Sequence, residues 1–232
     1  MGFFLGYYSS MIILVPAIIF TFYAQAKVKG AFNKYARIAS SRGITGAQAA
    51  ETILRANGLS VPIRQISGSL TDNYDPTKKI LNLSQSVYGS ASVAAIGVAA
   101  HECGHAIQHA NGYAALKIRN SIIPLVNFGS TASWPLLMIG LVFSGDLGDT
   151  LFSIGVLLFG FTVLFHLITL PVELDASRRA LKQLEGLGII EDKNEYRGAK
   201  KVLSAAAMTY MASLAMAIAN LLRILAMRNR RD

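Results

Sequence analysis

The chain has 232 residues, of which 53% are apolar and only 15% charged, with a net charge of +9. That balance excludes an ordinary soluble protein of one or two domains and points to a membrane protein. The basic residues cluster beside apolar stretches instead of interleaving with aromatics, so topology and anionic lipid account for them and no nucleic-acid partner is expected. A single cysteine, Cys103, excludes an intrachain disulfide and fits a reducing compartment.

The first apolar stretch runs from about Phe3 to Ala26 and carries no Lys, Arg, Asp or Glu. At roughly 20 residues it is long enough to cross a hydrocarbon core as a helix. Ala24-Gln-Ala26 has the small-residue look of a signal-peptide cleavage site, but no basic residue precedes the apolar run, so an uncleaved anchor is expected. Pro16 can kink this helix. Lys27, Lys29, Lys34, Arg37 and Arg42 follow it.

A short amphipathic helix is expected from Thr45 to Asn57, with Ala49, Ile53 and Ala56 on one face and Asn57-Gly58 as the stop. Leu59 to Ile66 alternates around Pro62 like a strand, Thr71 to Lys79 reads as a loop dense in turn residues, and Ile80 to Ser84 alternates again. That last segment is either an ordinary sheet edge or an edge strand that reads the backbone of an extended substrate.

Ser92 to Ala100 then forms an apolar, small-residue lead into His101-Glu-Cys-Gly-His105. On a helix the two histidines lie one turn apart on one face, so both rings can reach a single Zn²⁺ ion while Glu102 stands beside it. Three protein ligands would leave a fourth position for a water whose pKa the metal lowers towards about 7, and Glu102 would act as its general base in attack on a carbonyl carbon. Gly104 costs roughly 1 kcal/mol of helix stability relative to Ala, tolerable where something approaches the helix backbone closely. Cys103 has no separate base assigned to it and is not expected to be a nucleophile.

Two further apolar stretches, Ile122 to Phe143 and Leu151 to Leu170, flank an acidic connector from Ser144 to Thr150, and a fourth runs from Val202 to Leu222. By the positive-inside rule residues 27–120 and 172–201 are cytoplasmic and the connector lies outside. Arg228, Arg230 and Arg231 break that rule if the fourth stretch crosses fully. No internal repeat, low-complexity tract or phosphate-binding glycine loop interrupts the pattern.

The third ligand must come from elsewhere. His109 lies about 12 Å along the helix axis from His101, too far to share its ion. His166 sits deep in an apolar stretch, and Asp72 and Asp75 sit in a turn where aspartates usually bond their own backbone. Glu173 is the better candidate. The second and third stretches, folded as a hairpin, return the chain to the membrane face just before it, although a carboxylate there is also what the first turn of a new helix after Pro171 favours.

Ser92 to Gln108, Asn73-Tyr-Asp-Pro76 and Pro171-Val-Glu-Leu-Asp-Ala-Ser-Arg-Arg-Ala180 together resemble the YugP-type bacterial membrane zinc metallopeptidases. The resemblance extends to gluzincins of the HtpX and CAAX-prenyl kinds. It implies zinc held by His101, His105 and Glu173 with Glu102 as the catalytic base. HtpX-like enzymes place an aspartate four residues after the ligand glutamate, where this chain has Ser177, with Asp175 two residues after Glu173. Tyr210 is a candidate oxyanion stabiliser or merely a partner for a neighbouring helix.

The expected fold is a mainly α membrane protein with about four transmembrane helices and a small α+β gluzincin-like unit. The expected segments are an anchor at 1–26, a peptidase unit at 27–120, a transmembrane hairpin at 121–171, a third-ligand connector at 172–201, and a last helix with basic tail at 202–232. The expected function is a zinc metalloendopeptidase of the bacterial plasma membrane, its site at the cytoplasmic face, acting on membrane-associated or misfolded proteins. A zinc protease working within the bilayer and a non-enzymatic scaffold with a structural zinc are the alternatives.

Overall fold

The computed structural model describes residues 10–143 and 145–228. The expected Phe3–Ala26 stretch therefore lies partly outside the described residues, as do Ser144, Arg230 and Arg231. The chain is mostly helical, with four helices long and apolar enough to cross a membrane and a small three-stranded sheet. It divides into two units, one of residues 24–117 and 171–208, the other of 1–23, 118–170 and 209–232.

In the first unit a helix α1 (Val15–Tyr35) contributes its C-terminal half. Helix α2 (Gly46–Ala56) opens on a capping box in which Thr45 Oγ1 accepts from Gln48 N–H and Gln48 Oε1 accepts from Thr45 N–H. It buries Ala49, Ala50, Ile53 and Leu54, so Ala49 and Ile53 of the expected face are buried, whereas Ala56, at the last position of the helix, is exposed. Gly58 follows with φ +67°, a left-handed conformation that glycine adopts without cost.

Strands β1 (Ile63–Ile66), β2 (Asn73–Asp75) and β3 (Ile80–Ser84) stand in the order β1-β3-β2, with β1 parallel and β2 antiparallel to β3. β3 is central, which corrects the edge-strand reading of residues 80–84. Leu81 and Leu83 point into the core, as the alternation requires. β2 lies inside the segment expected to be a loop. The turn chemistry expected there is real, since Asp75 Oδ1 accepts the N–H groups of Thr77 and Lys78.

A one-turn helix α3 (Gln85–Tyr88) leads to α4 (Val93–Ala110), whose Ser92 cap accepts from Ala95 N–H. Val93, Ala94, Ala95, Ile96, Ala99, Ala100 and Cys103 of α4 are fully buried. Small side chains let other backbones come close: a Cβ at Gly97 would sit 3.5 Å from that of Ala199.

The second unit is dominated by α5 (Ala114–Val142) and α6 (Asp146–Gly186). They pack against each other. Gly140 and Gly155 permit it, because a Cβ on either would fall within 3 Å of Phe152 or Leu137. Leu137, Leu141, Phe152, Phe159 and Ile224 make the core here. Outside it, Phe128, Val142 and Leu157 are 65–74% exposed, an apolar exterior suited to hydrocarbon and costly in water.

Two helices run through expected boundaries. α6 continues unbroken past Pro171 to Gly186, so Glu173 sits in mid-helix and does not open a new one. The proline removes one donor and leaves the Leu167 carbonyl without its helical partner, which a long, well-packed helix tolerates. Helix α7 (Lys193–Arg228) likewise joins the expected connector to the fourth apolar stretch. At its far end Arg228 pairs with Asp149 at 3.5 Å and donates to Ser153 Oγ at 3.0 Å. The first of the three tail arginines thus meets the acidic connector.

Candidate metal centre

All the candidate ligands that converge lie in the first unit, where α4 presents His101 and His105 to the part of α6 that follows Pro171. His101 Nε2 is 3.2 Å and His105 Nε2 3.4 Å from the same Glu173 oxygen. The three donor atoms lie within 4.8 Å of one another. The histidines are half-buried and Glu173 is buried. Burial works against charge on Glu173, but hydrogen bonds from both imidazoles hold its carboxyl well below the usual range. The same contacts raise His105 against its own desolvation.

The contact that brings α6 so close depends on the glycine of the motif. A Cβ at Gly104 would stand 2.5 Å from the Ala176 carbonyl oxygen, so only glycine lets α6 lie against α4 at this point. Cys103, on the buried side, has its thiol pushed up by desolvation and faces the Ala50 carbonyl at 3.7 Å. Such a thiol is inert.

Behind the two imidazoles the Nδ1 atoms are engaged, leaving both Nε2 atoms directed to Glu173. His101 Nδ1 is 3.1 Å from Ser177 Oγ, and His105 Nδ1 is 3.0 Å from Gln108 Oε1. Gln108 is fully buried, and its amide nitrogen donates to the Val172 carbonyl at 2.8 Å and to Asp175 at 2.9 Å. Asp175 is in turn held by Arg179 at 2.6 Å. Although burial opposes it, these hydrogen bonds keep the Asp175 carboxyl below the usual range. Two borderline nitrogen donors, one carboxylate and occupied Nδ1 atoms suit zinc.

Glu102 is buried beside this cluster, and one of its oxygens accepts the Tyr74 backbone N–H at 3.0 Å. Desolvation pushes its carboxyl up, partly countered by the two histidines. Since Tyr74 N–H points away from β3, the open edge of β2 faces Glu102. The Tyr74 hydroxyl is 2.8 Å from His109 Nδ1.

The other candidates from the sequence are employed elsewhere. Asp72 binds the N–H and hydroxyl of Ser84, and Asp75 caps its turn. His109 pairs with Tyr74, while His166 and Tyr210 lie in the second unit. Two residues and one strand edge escaped the sequence reading. Gln108 had a usable signal, lying three residues after His105 and so on its helical face. Tyr74 and the β2 edge had none, because their place depends on pairing with distant β3.

The family described as "Putative neutral zinc metallopeptidase" matches residues 10–229. A Bacillus subtilis (strain 168) protein named "Putative membrane protease YugP" is 46% identical over 220 residues, covering 94% of this chain and 96% of its own. No solved structure matches. With the match running through both units and through the whole ligand cluster, this chain belongs to that neutral zinc metallopeptidase family.

Proposed function

We propose that the protein is a membrane-embedded zinc endopeptidase that cleaves peptide bonds in membrane-associated or misfolded proteins, with its site at the cytoplasmic face of a bacterial plasma membrane. One observation carries the reading: three metal-type donors converge beside a buried carboxylate that is not one of them. His101, His105 and Glu173 would hold the zinc. When bound, it supplies a Lewis acid for the scissile carbonyl and lowers the pKa of water towards about 7.

The chain's own residues do the rest. Tyr74 N–H fixes one oxygen of Glu102, leaving the other to take a proton from the water that attacks the carbonyl carbon. As the C–N bond breaks, Glu102 returns that proton to the departing amine. Desolvation raises the affinity of Glu102 for a proton, which suits a base that must both accept and release it. An extended substrate would run along β2, the edge strand at Glu102, and find the Tyr74 carbonyl as its main-chain acceptor. Recognition of backbone in this way tolerates many sequences.

The basic residues that follow the first and third apolar stretches support a cytoplasmic site by the positive-inside rule. A scaffold with a structural zinc would fill four positions with protein ligands, whereas the described residues offer three, and it would have no use for Glu102. The test is Glu102→Gln in the purified full chain, measuring zinc content together with hydrolysis of unfolded casein. Hydrolysis should fall by about 10²–10⁴-fold with zinc retained. Undiminished hydrolysis by the zinc-loaded variant overturns the assignment.

A further inference from the structure

Resting on the zinc reading above, we infer that Gln108, locked by Asp175 and the Val172 carbonyl, is the positioning residue that fixes His105 as a metal ligand. The argument is one of donors and acceptors. An amide has one face that donates and one that accepts, and which is which must be settled by its surroundings. Here the nitrogen end of Gln108 meets a carbonyl at 2.8 Å and a carboxylate oxygen at 2.9 Å, both of which can only accept. Reversing the amide would set its oxygen against both. Gln108 Oε1 must therefore face His105 Nδ1, 3.0 Å away, and an oxygen there can only accept.

The consequence passes to the ring. His105 Nδ1 carries the hydrogen, so Nε2, the atom aimed at Glu173 and its shared site, is the one that can offer a lone pair to a metal in place of its hydrogen bond to the carboxylate. Arg179 completes the chain by holding Asp175 at 2.6 Å, and its guanidinium lies over the Tyr113 ring at 5.7 Å. The carboxylate missing at Ser177 is thus present in this protein, but it acts on the other histidine and through an intervening amide. His101 has only the Ser177 hydroxyl, which rotates and specifies no tautomer by itself.

The proposal predicts unequal support for the two ligands. In the full chain in detergent, zinc affinity is measured by chelator competition for Gln108→Met, Asp175→Asn and Ser177→Ala, alongside melting of each metal-free protein. Gln108→Met should lower affinity about 10–100-fold with metal-free melting little changed. Asp175→Asn should give a smaller loss, because Val172 still orients the amide, and Ser177→Ala a smaller one again. In ¹⁵N-histidine spectra of the zinc-loaded wild type, His105 should show a protonated Nδ1 and a metal-bound Nε2.

Wild-type affinity in Gln108→Met, or a metal-bound Nδ1 at His105, overturns the proposal. If Gln108→Met does not fold, the His105 spectrum and Asp175→Asn decide, and an unchanged affinity in Asp175→Asn counts against it. Failure of the underlying reading looks different, since the wild type itself would then bind no zinc.

Discussion

The two units are built from some of the same long helices, yet they bury different mixtures of residue. Around the metal centre the core is alanine, glycine and branched aliphatics, and it encloses Glu102, Gln108 and Glu173, each with a named hydrogen-bond partner. In the apolar unit the main core cluster is a few large side chains such as Leu137, Phe152 and Phe159, beside a smaller one of Leu14, Ala17 and Ala219, and equally large ones are left outside. Polar groups inside a protein must be satisfied, and small residues allow the close backbones that satisfy them. A hydrocarbon surround removes the penalty for exposed leucine and phenylalanine.

The largest effect that should separate the units comes from Glu173→Ala. It removes one of three donors and leaves two half-buried imidazoles with no carboxylate between them, so zinc content should fall to near background and proteolysis with it. Full zinc occupancy by metal analysis would move the third ligand elsewhere. Next comes Leu157→Arg in the apolar unit, where the leucine is 65% exposed. On a protein surface facing water such a change costs within about 0.5 kcal/mol. In mid-bilayer it costs about 2.5–3.5 kcal/mol, read as failed insertion in a membrane-integration assay. Normal insertion would mean that this face does not meet lipid.

How much of this was legible in the sequence follows from the range of each interaction. His101, Glu102 and His105 were readable because a helix fixes their geometry within five residues. Glu173 could be set beside the two histidines because the apolar stretches flanking the acidic connector read as a hairpin that brings the chain back to the face it left, an argument from topology and not from local propensity. Pro171 misled, since its local preference to end a helix is outweighed by the packing of a 41-residue one. The order β1-β3-β2 was invisible, because alternation shows which side of a strand is buried but not which neighbours it pairs with. Gln108 entered the sequence reading only as the last residue of the Ser92–Gln108 block, for its role depends on Val172 and Asp175, 64 and 67 positions away.

The smallest effect gives the sharpest comparison, because the same substitution should change sign between the units. Replacing a helical glycine by alanine gains about 1 kcal/mol of intrinsic helix stability wherever the new methyl has room. At Gly160 in the apolar unit no atom of the described residues, beyond its chain neighbours and its own helix backbone, lies within 4 Å of the added Cβ, so Gly160→Ala should raise the melting temperature in detergent. At Gly104 the Cβ meets the Ala176 carbonyl at 2.5 Å, a backbone atom that cannot swing aside. Overpacking of this kind costs typically 1–3 kcal/mol, which outweighs the propensity gain over most of that range. Ala176 lies between Asp175 and Ser177, and Glu173 is one turn away, so the displaced segment carries the ligand with it. Gly104→Ala should therefore lower zinc affinity as well as stability, whereas Gly160→Ala should leave zinc affinity unchanged. Equal stabilisation by both would mean that α4 and α6 do not touch at Gly104, and the close approach that unites the two halves of the centre would have to be abandoned.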